Sequence, residues 1–352
     1  MVLLVQGGPE YYPVMDSPIP VIDDLAKTVL VTGSAGHLGE ALMRVLPRHG
    51  YDVRGIDVLP SPFTTAVGSV SDRRFVRRSL EGMSAVVHAA TLHKPHVATH
   101  SRQDFVDTNV TGTLNLLEEA VAAGVRTFVF TSTTSVYSGR IAEASGVTSW
   151  ITEAVAPRPK NVYGLTKIAA EDFCELFHRK FGLPCLVLRT SRFFLDPDDD
   201  PAVRAAYSDA NVKANEFLYR RVDIEDVVSA HLLALERAPA IGFGRYIISG
   251  TTPFHSSDVA QLAVNAPEVV ERYVPGVREI YRRLGWTMFP AIDRVYVNDH
   301  ARHELGWRPR FDFTRVVASI GEGADHRSDL ARTIGFKGYH ADAFADGIYP
   351  VE

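Results

Sequence analysis

A tyrosine and a lysine four residues apart, Tyr163 and Lys167, put a phenol and an ammonium on one face of a helix, one turn apart. A free phenol has a pKa of ~10 and is a poor base at neutral pH. A lysine charge about 4 Å from its oxygen is worth roughly 4 kcal/mol at an effective dielectric of about 20, on the order of three pKa units. The expectation is a tyrosine acidified enough to exchange a proton with a substrate hydroxyl or carbonyl. The same spacing also suits an amphipathic surface helix, so its meaning depends on what accompanies it and in what order. A cluster of hydroxyls, Ser132, Thr133, Thr134 and Ser135, lies upstream.

Chemistry of this kind needs a scaffold that brings distant segments to one place. Thr28-Val29-Leu30-Val31-Thr32 is a short β-branched run, followed at once by Gly33-Ser34-Ala35-Gly36-His37-Leu38-Gly39. Leu38, Ala41, Leu42, Val45 and Leu46 then recur at helical spacing up to Pro47 and Gly50. Strand, glycine-rich turn and helix form the context that a dinucleotide fingerprint requires. The glycines allow a tight turn and let backbone amides approach a pyrophosphate at the positive helix N-terminus. The next strand, 51–57, ends in Asp57, which can accept hydrogen bonds from both ribose hydroxyls and would repel a 2′-phosphate. NAD is therefore expected over NADP, and Arg54, within the strand, is badly placed to hold a phosphate.

Further strand–helix units follow. The run 85–90 is almost continuously apolar, as in a sheet covered on both faces. A helix carrying Val110, Leu114, Leu117 and Val121 comes next, then a strand at 127–131 that ends in the hydroxyl cluster. The Tyr163 helix runs to about Lys180, and 184–189 is a sixth strand. The alternation over 27–190 predicts an α/β fold, a Rossmann-type doubly wound parallel sheet whose ligands sit beyond the carboxyl ends of its strands. Residues 191–330 read as a smaller mixed α/β substrate-binding part. In it, a helix over Ile224–Glu236 and a strand over Arg245–Ser249 return to the main sheet, and Trp286 and Trp307 serve as core anchors. Residues 1–26, with four prolines, read as an irregular leader, and 331–352 as a tail that packs on the body or completes a dimer contact.

The totals set bounds. A net charge of −5 argues against nucleic acid as the main partner, and no apolar run approaches the ~20 residues that cross a bilayer. The N-terminus lacks the basic segment of a secretory signal. The two cysteines, Cys174 and Cys185, read as reduced core thiols, and a cytoplasmic location is expected.

Taken in order, these features resemble the extended short-chain dehydrogenase/reductase family, which holds NAD-dependent sugar epimerases and dehydratases. The matches are Thr32-Gly33-x-x-Gly36-x-x-Gly39, Asp57, His88-Ala89-Ala90, Asn109 in Asn109-Val110-Thr111-Gly112-Thr113, Thr131-Ser132-Thr133 with Val136-Tyr137, and Tyr163-x-x-x-Lys167. Arg189, the run 221–227 and His303-Glu304-Leu305-Gly306-Trp307 continue the series. The resemblance implies a catalytic set of Thr133, Tyr163 and Lys167. Tyr163 would be the general acid/base and Thr133 the hydroxyl that bonds the reacting oxygen. Lys167 would hold the nicotinamide ribose and lower the phenol's pKa. Ser132 and Thr134 stay open as rivals to Thr133, and a plain strand-end cap is its structural alternative. NAD would lie against Gly33, Ala35, Gly36, His37, Leu38, Gly39, Asp57, Ser69, Val70, His88, Ala89, Ala90, Asn109 and Thr131, besides Tyr163 and Lys167, with Asn109 also bracing the strand that carries the site.

The chain departs from the family in four places. Gly68-Ser69 stands where an adenine-binding Gly-Asp pair is usual, so the adenine contact is expected to be weaker. Thr134-Ser135 replaces the Asp-Glu that drives elimination in the dehydratases, which argues against dehydration. Arg192 falls near the usual diphosphate-gripping Asn and is followed by the acidic stretch 196–200. It is either a fork for a substrate carboxylate or phosphate, or a surface arginine paired with that stretch. In the loop 93–100, His93 and Lys94 are candidate substrate contacts, as is Thr134. Pro95 breaks the helical spacing that a metal site built from His93, His96 and His100 would need, so no metal is expected.

The resulting expectation is NAD-dependent hydride transfer at a hydroxyl-bearing carbon of a sugar or sugar nucleotide. It could take an epimerase form that retains its cofactor or a sugar or uronate dehydrogenase form that releases NADH. A non-catalytic NAD-binding regulatory protein is the alternative from outside enzymology. The partner expected is a small sugar-like molecule; the resemblance also implies pairing through the helices 109–123 and 163–180, whose apolar residues permit a homodimer without demanding one.

Overall fold

The computed structural model describes residues 27–144 and 146–338. In chain order its strands are β1 (Thr28–Thr32), β2 (Asp52–Asp57), β3 (Ala66–Val67), β4 (Ala85–His88), β5 (Thr127–Thr133), β6 (Ser149–Ile151), β7 (Cys185–Thr190), β8 (Phe243–Ile248) and β9 (Arg294–Tyr296). Seven of them form one parallel sheet in the order β3-β2-β1-β4-β5-β7-β8, while β6 pairs with β9 in a small parallel ribbon. The doubly wound sheet is as expected, with β8 joining it beside β7.

Alternation along the buried strands sends neighbouring side chains to opposite faces. Val29 and Val31 of β1 join Val87, Val129 and Leu188 under the helices His37–Val45 and Ile224–Ile241. Leu30 joins Val86, Phe128, Phe130 and Val187 against Leu116, Leu117, Ala170 and Cys174 on the other face. The later part of the chain has a core of its own, around Phe217, Leu262, Val269, Tyr281 and Phe313. Trp307 is fully buried, and its ring N–H donates to the Asp226 carbonyl (3.1 Å) and the Ser229 hydroxyl (3.0 Å). It fastens the C-terminal segment to the Ile224–Ile241 helix, whereas Trp286 is only half-buried. Cys174 and Cys185 are buried free thiols.

Three differences from the sequence reading matter for the site. β5 runs on to Thr133, in register with Thr190 of β7, because its polar end is satisfied inside the protein: Ser132 donates to Glu171 and Thr190 donates to the Ser132 carbonyl. A π-helical stretch, Val106–Thr111, precedes the helix Gly112–Ala122 and carries Asn109; wider turns of this type escape a search for regular helical spacing. The Ile224–Ile241 helix passes through Pro239 and outlasts its expected end at Glu236.

The described portion of the tail packs back on the body. After the helix Asp329–Ile334, the Lys337 ammonium donates to the Ala35 carbonyl (2.8 Å) and to Glu40 (2.5 Å). Tyr339, Phe344, Tyr349 and the leader 1–26 lie outside the described residues. No described helix is long and apolar enough to cross a membrane.

The tightest packing sits at the glycine turn. Gly33 has φ +75°, and a Cβ on Gly39 would fall 1.9 Å from the Gly33 carbonyl oxygen. Gly39→Ala is therefore expected to destabilise the fold by about 1–3 kcal/mol, the usual cost of overpacking. The midpoint of urea unfolding measures this, compared with Gly50→Ala, where a Cβ meets nothing within 4 Å but the backbone is strained at φ +80°.

Candidate active site

The glycine turn and the hydroxyl cluster open into one cleft of about 1560 Å³ at the carboxyl ends of β1, β4, β5 and β7. On its cofactor side, the Gly33 amide donates to the Ile56 carbonyl (2.8 Å), which ties the turn to β2. Asp57 accepts from the Ala35 amide (3.0 Å) and the Leu59 amide (2.9 Å), so its carboxylate is held at the lip of the turn. No side chain caps the helix that begins at His37, whereas Asp72 and Asn161 cap theirs. The first amides of that helix face the cleft with glycine as their neighbour, and an anion such as a pyrophosphate fits them. Ala35, Gly36, His37, Leu38, Ser69, Val70, Ala89, Ala90 and Thr131 all line the cleft. Arg54 is spent elsewhere, donating to the carbonyls of Ser79 and Glu81.

Tyr163 and Lys167 lie on the inner face of the helix Val162–Phe181, at 5 % and 2 % exposure. Burial raises the phenol to about 12, with the hydrogen-bonding Thr133 hydroxyl pulling the other way. Burial likewise lowers the Lys167 ammonium to about 7, against the attraction of Glu171. The lysine donates to the Thr131 carbonyl (2.7 Å) and lies 4.1 Å above the Phe130 ring. The expected acidification is therefore reversed. Desolvation is the largest cause of both shifts, and a lysine held near pH 7 carries only part of a charge there.

The three rival hydroxyls separate cleanly. Ser132 donates to Glu171 (2.5 Å) and Thr134 to the Thr190 carbonyl (3.4 Å), which leaves Thr133 beside the phenol. Thr133 also caps the turn that follows, accepting from the Ser135 amide (3.1 Å), as its strand-end alternative has it.

Two of the expected cofactor contacts are instead braces. His88 does not line the cleft; burial holds it well below its usual range, and its ring spans Thr32 (2.7 Å) and Thr113 (3.0 Å). Thr32 already accepts from the Ala89 and Ala90 amides, and Thr113 donates to the Asn109 carbonyl. The ring is then a neutral tautomer, with Nδ1 accepting and Nε2 donating. Asn109 is also set back from the cleft. It accepts from the Thr91 hydroxyl and the Leu92 amide, and donates to the Leu92 carbonyl and to Thr166 (3.0 Å). A chain of hydrogen bonds thus runs from the glycine turn through His88, Thr113 and Asn109 to the tyrosine helix. Sequence reading also missed Glu171, one turn beyond Lys167, which is fully buried and grips Arg189 at 2.6 Å. Its place one further turn along the same face, four residues after Lys167 and eight after Tyr163, was the available signal.

On the substrate side, His93 packs its ring 5.8 Å from that of Tyr163, and burial, then His96 and Lys167, hold it well below its usual range. Lys94 is paired with Asp199. Arg192 is not an open fork: Nη1 donates to Asp198 (2.7 Å) and Glu216 (3.0 Å), and Nη2 to Asp199 (3.1 Å). Its pairing with the acidic stretch is what the structure adopts, because β7 delivers Arg192 and the Asp198–Asp199 loop to the same wall. Arg220, Tyr207, Tyr219 and Phe289 from the later part of the chain complete this half of the cleft, unmarked by any sequence motif. No group of three or more His, Cys, Asp or Glu side chains among the described residues could hold a metal ion.

The NAD dependent epimerase/dehydratase family matches residues 29–248. The chain belongs to that family. It is 26% identical over 335 residues to a 3-beta-hydroxysteroid dehydrogenase of Mycolicibacterium neoaurum, covering 82% of this chain and 89% of that one. It is 26% identical over 325 residues to a UDP-glucose 4-epimerase of Streptomyces lividans, covering 83% and 94%. An uncharacterized protein of Sinorhizobium fredii is 32% identical over 171 residues, a match that spans 47% of this chain and 41% of that protein. A short-chain dehydrogenase/reductase superfamily protein from Agrobacterium tumefaciens, solved with bound NAD, superposes with a TM-score of 0.61 at 25% identity, covering 84% of this chain and 96% of that one. The cofactor of this family member is NAD, and the glycine turn, open helix terminus and Asp57 fit it.

Two outcomes follow. Asp57→Ala should weaken NAD binding ten- to a hundredfold, the about 1.5–3 kcal/mol expected for hydrogen bonds to a charged group, and narrow the preference over NADP; fluorescence titration of both nucleotides measures it. For Lys167, the unfolded chain holds its proton up to ~10.4, while the folded chain releases it at about 7. The unfolded state binds more protons in that window, so this residue's contribution makes stability rise as pH climbs from about 7 to ~10. Denaturant midpoints at a series of pH values should show that rise in the wild type and lose it in Lys167→Met.

Proposed function

We propose that the protein is an oxidoreductase or epimerase that exchanges a hydride between NAD and a hydroxyl-bearing carbon of a sugar-like substrate, with Tyr163 as the general acid/base. The observation that carries this reading is a single cleft in which the buried Tyr163 phenol, hydrogen-bonded to Thr133, faces the same opening as the glycine turn and Asp57. Bound NAD supplies the hydride acceptor or donor. The amides at 37 and 38 would take its pyrophosphate, Asp57 a ribose, Ser69 and Val70 the adenine, and Lys167 the nicotinamide ribose.

Thr133 orients the substrate oxygen and Tyr163 moves its proton. In the free protein the phenol is protonated and poised to give a proton to an oxygen gaining negative charge. To take one, it must become more acidic. A polar ligand group at the Lys167 ammonium would relieve the desolvation that holds it near 7, and the returning charge would lower the phenol. His88 and Asn109 act behind these groups, keeping the tyrosine helix in register with the glycine turn.

Both forms of the reaction draw support from relatives: an epimerase returns the hydride to the same substrate, and a dehydrogenase releases NADH. Absorbance of NADH during incubation with candidate sugars separates them. Dehydration is disfavoured, since Thr134 and Ser135 offer no carboxyl group and the Thr134 hydroxyl is bonded to the Thr190 carbonyl. A purely NAD-binding role is disfavoured by the convergence of Thr133, Tyr163 and Lys167 on one cleft.

Tyr163→Phe is expected to lower turnover by about 10² or more, the usual contribution of a positioned acid/base, while NAD affinity stays within about twofold. Steady-state kinetics with a parallel NAD titration checks it, and unchanged turnover would overturn the assignment.

A further inference from the structure

We propose that the substrate is uncharged where it meets the Arg192 wall of the cleft, and that Asp198 and Asp199 are the residues that impose this selection. This narrows the oxidoreductase reading and rests on it: the sugar-like molecule would carry neither a carboxylate nor a phosphate at that end.

The wall holds Lys94, Arg192 and Arg220, and their charge by itself would invite an anion. Each is already committed to carboxylates of the chain. Lys94 is paired with Asp199, and Arg192 with Asp198, Asp199 and Glu216. Arg220 is paired with Glu216 (2.8 Å) and Asp198 (3.2 Å). Glu216 is fully buried and also binds Arg221 at 2.7 Å. On the far side, Arg294 is bound to its neighbour Asp293.

The acidic segment is built into place. Asp198 accepts from the Asp200 amide (2.9 Å), its carbonyl accepts from Arg204 (2.7 Å), and Asp200 caps the short helix that follows by accepting from the Ala202 amide (2.8 Å). Asp198 and Asp199 are both buried, and although burial opposes it, Arg192 and Lys94 keep Asp199 charged far below the usual carboxylate range. The two carboxylates therefore occupy the cation contacts that the carboxylate of a uronate, or a diphosphate, would need. An entering anion would gain from Arg192 only what Asp198 and Asp199 give up, would lose its own hydration, and would meet Asp196 and Asp200 on the same lining. An uncharged molecule meets none of these costs, and the rings of Tyr207 and Phe289 line the cleft beside it.

The test is calorimetric binding of UDP-glucose and of glucuronate to the NAD-loaded full chain, for the wild type and for the Asp198→Asn, Asp199→Asn double variant. The wild type should bind neither below millimolar concentration, and the double variant should bind at least one of them tenfold or more tighter. Asp199→Asn alone, which leaves Asp198 on Arg192 and Arg220, should shift affinity in the same direction by a smaller factor and covers the case in which the double variant does not fold. Micromolar binding of either anion by the wild type would overturn the proposal, as would variants that bind no better than wild type. Because this readout needs no proton transfer, it can succeed while Tyr163→Phe leaves turnover unchanged. In that event the catalytic assignment fails and the charge selection stands.

Discussion

Everything in this cleft depends on the removal of water from the tyrosine–lysine face of one helix. Tyr163 and Lys167 are both ionisable, both almost fully enclosed, and both shifted by burial toward their neutral forms, the phenol to about 12 and the ammonium to about 7. A surface pair would exchange protons with bulk water and contribute little. An enclosed pair responds instead to whatever group enters beside it, since one new charge or hydrogen bond acts in a medium that screens weakly. The fold supplies the enclosure: the end of β5 lies under one face of the helix, and the glycine turn and β4 close the other side of the opening.

The two halves of the cleft are built differently. The framework behind the cofactor half relies on hydrogen bonds between uncharged groups and on backbone contacts. The glycine turn leans on β2, His88 bridges it to Asn109, and Asn109 reaches the tyrosine helix through Thr166. Positions fixed in this way vary little with salt or pH, which suits a site that must hold a large dinucleotide in one register. The substrate half is held by ion pairs among Lys94, Arg192, Arg220, Asp198, Asp199 and Glu216. These are shaped by charge balance, so the chemistry of this wall is decided by which carboxylates the chain itself brings there.

That contrast explains how much could be read from the sequence. The glycine turn, Asp57 and the Tyr163–Lys167 pair are local patterns: each depends on a strand or helix whose period is visible in the residues beside it. The doubly wound sheet follows from their alternation. The family resemblance implied His88 and Asn109 as cofactor contacts, with Asn109 also a brace; their side chains turn inward to Thr32, Thr113 and Thr166, partners that only the packed sheet brings together. The π-helical stretch around Asn109 has no regular period to betray it. The direction of the Tyr163 shift was misjudged for a related reason: the charge of Lys167 was legible, whereas the burial that discharges it is a property of the assembled fold. Arg192 carried two readings, and the choice between them required the loop 196–200 to be seen against the same wall.

The central claim is that burial keeps the Tyr163 phenol protonated until a ligand arrives. Ultraviolet titration of the cofactor-free protein, taken as the difference between wild type and Tyr163→Phe, measures it most directly. The account predicts that the phenolate signal assigned to Tyr163 is centred near a pKa of about 12. An ionisation well below the ~10 of an ordinary phenol in the free protein would contradict it.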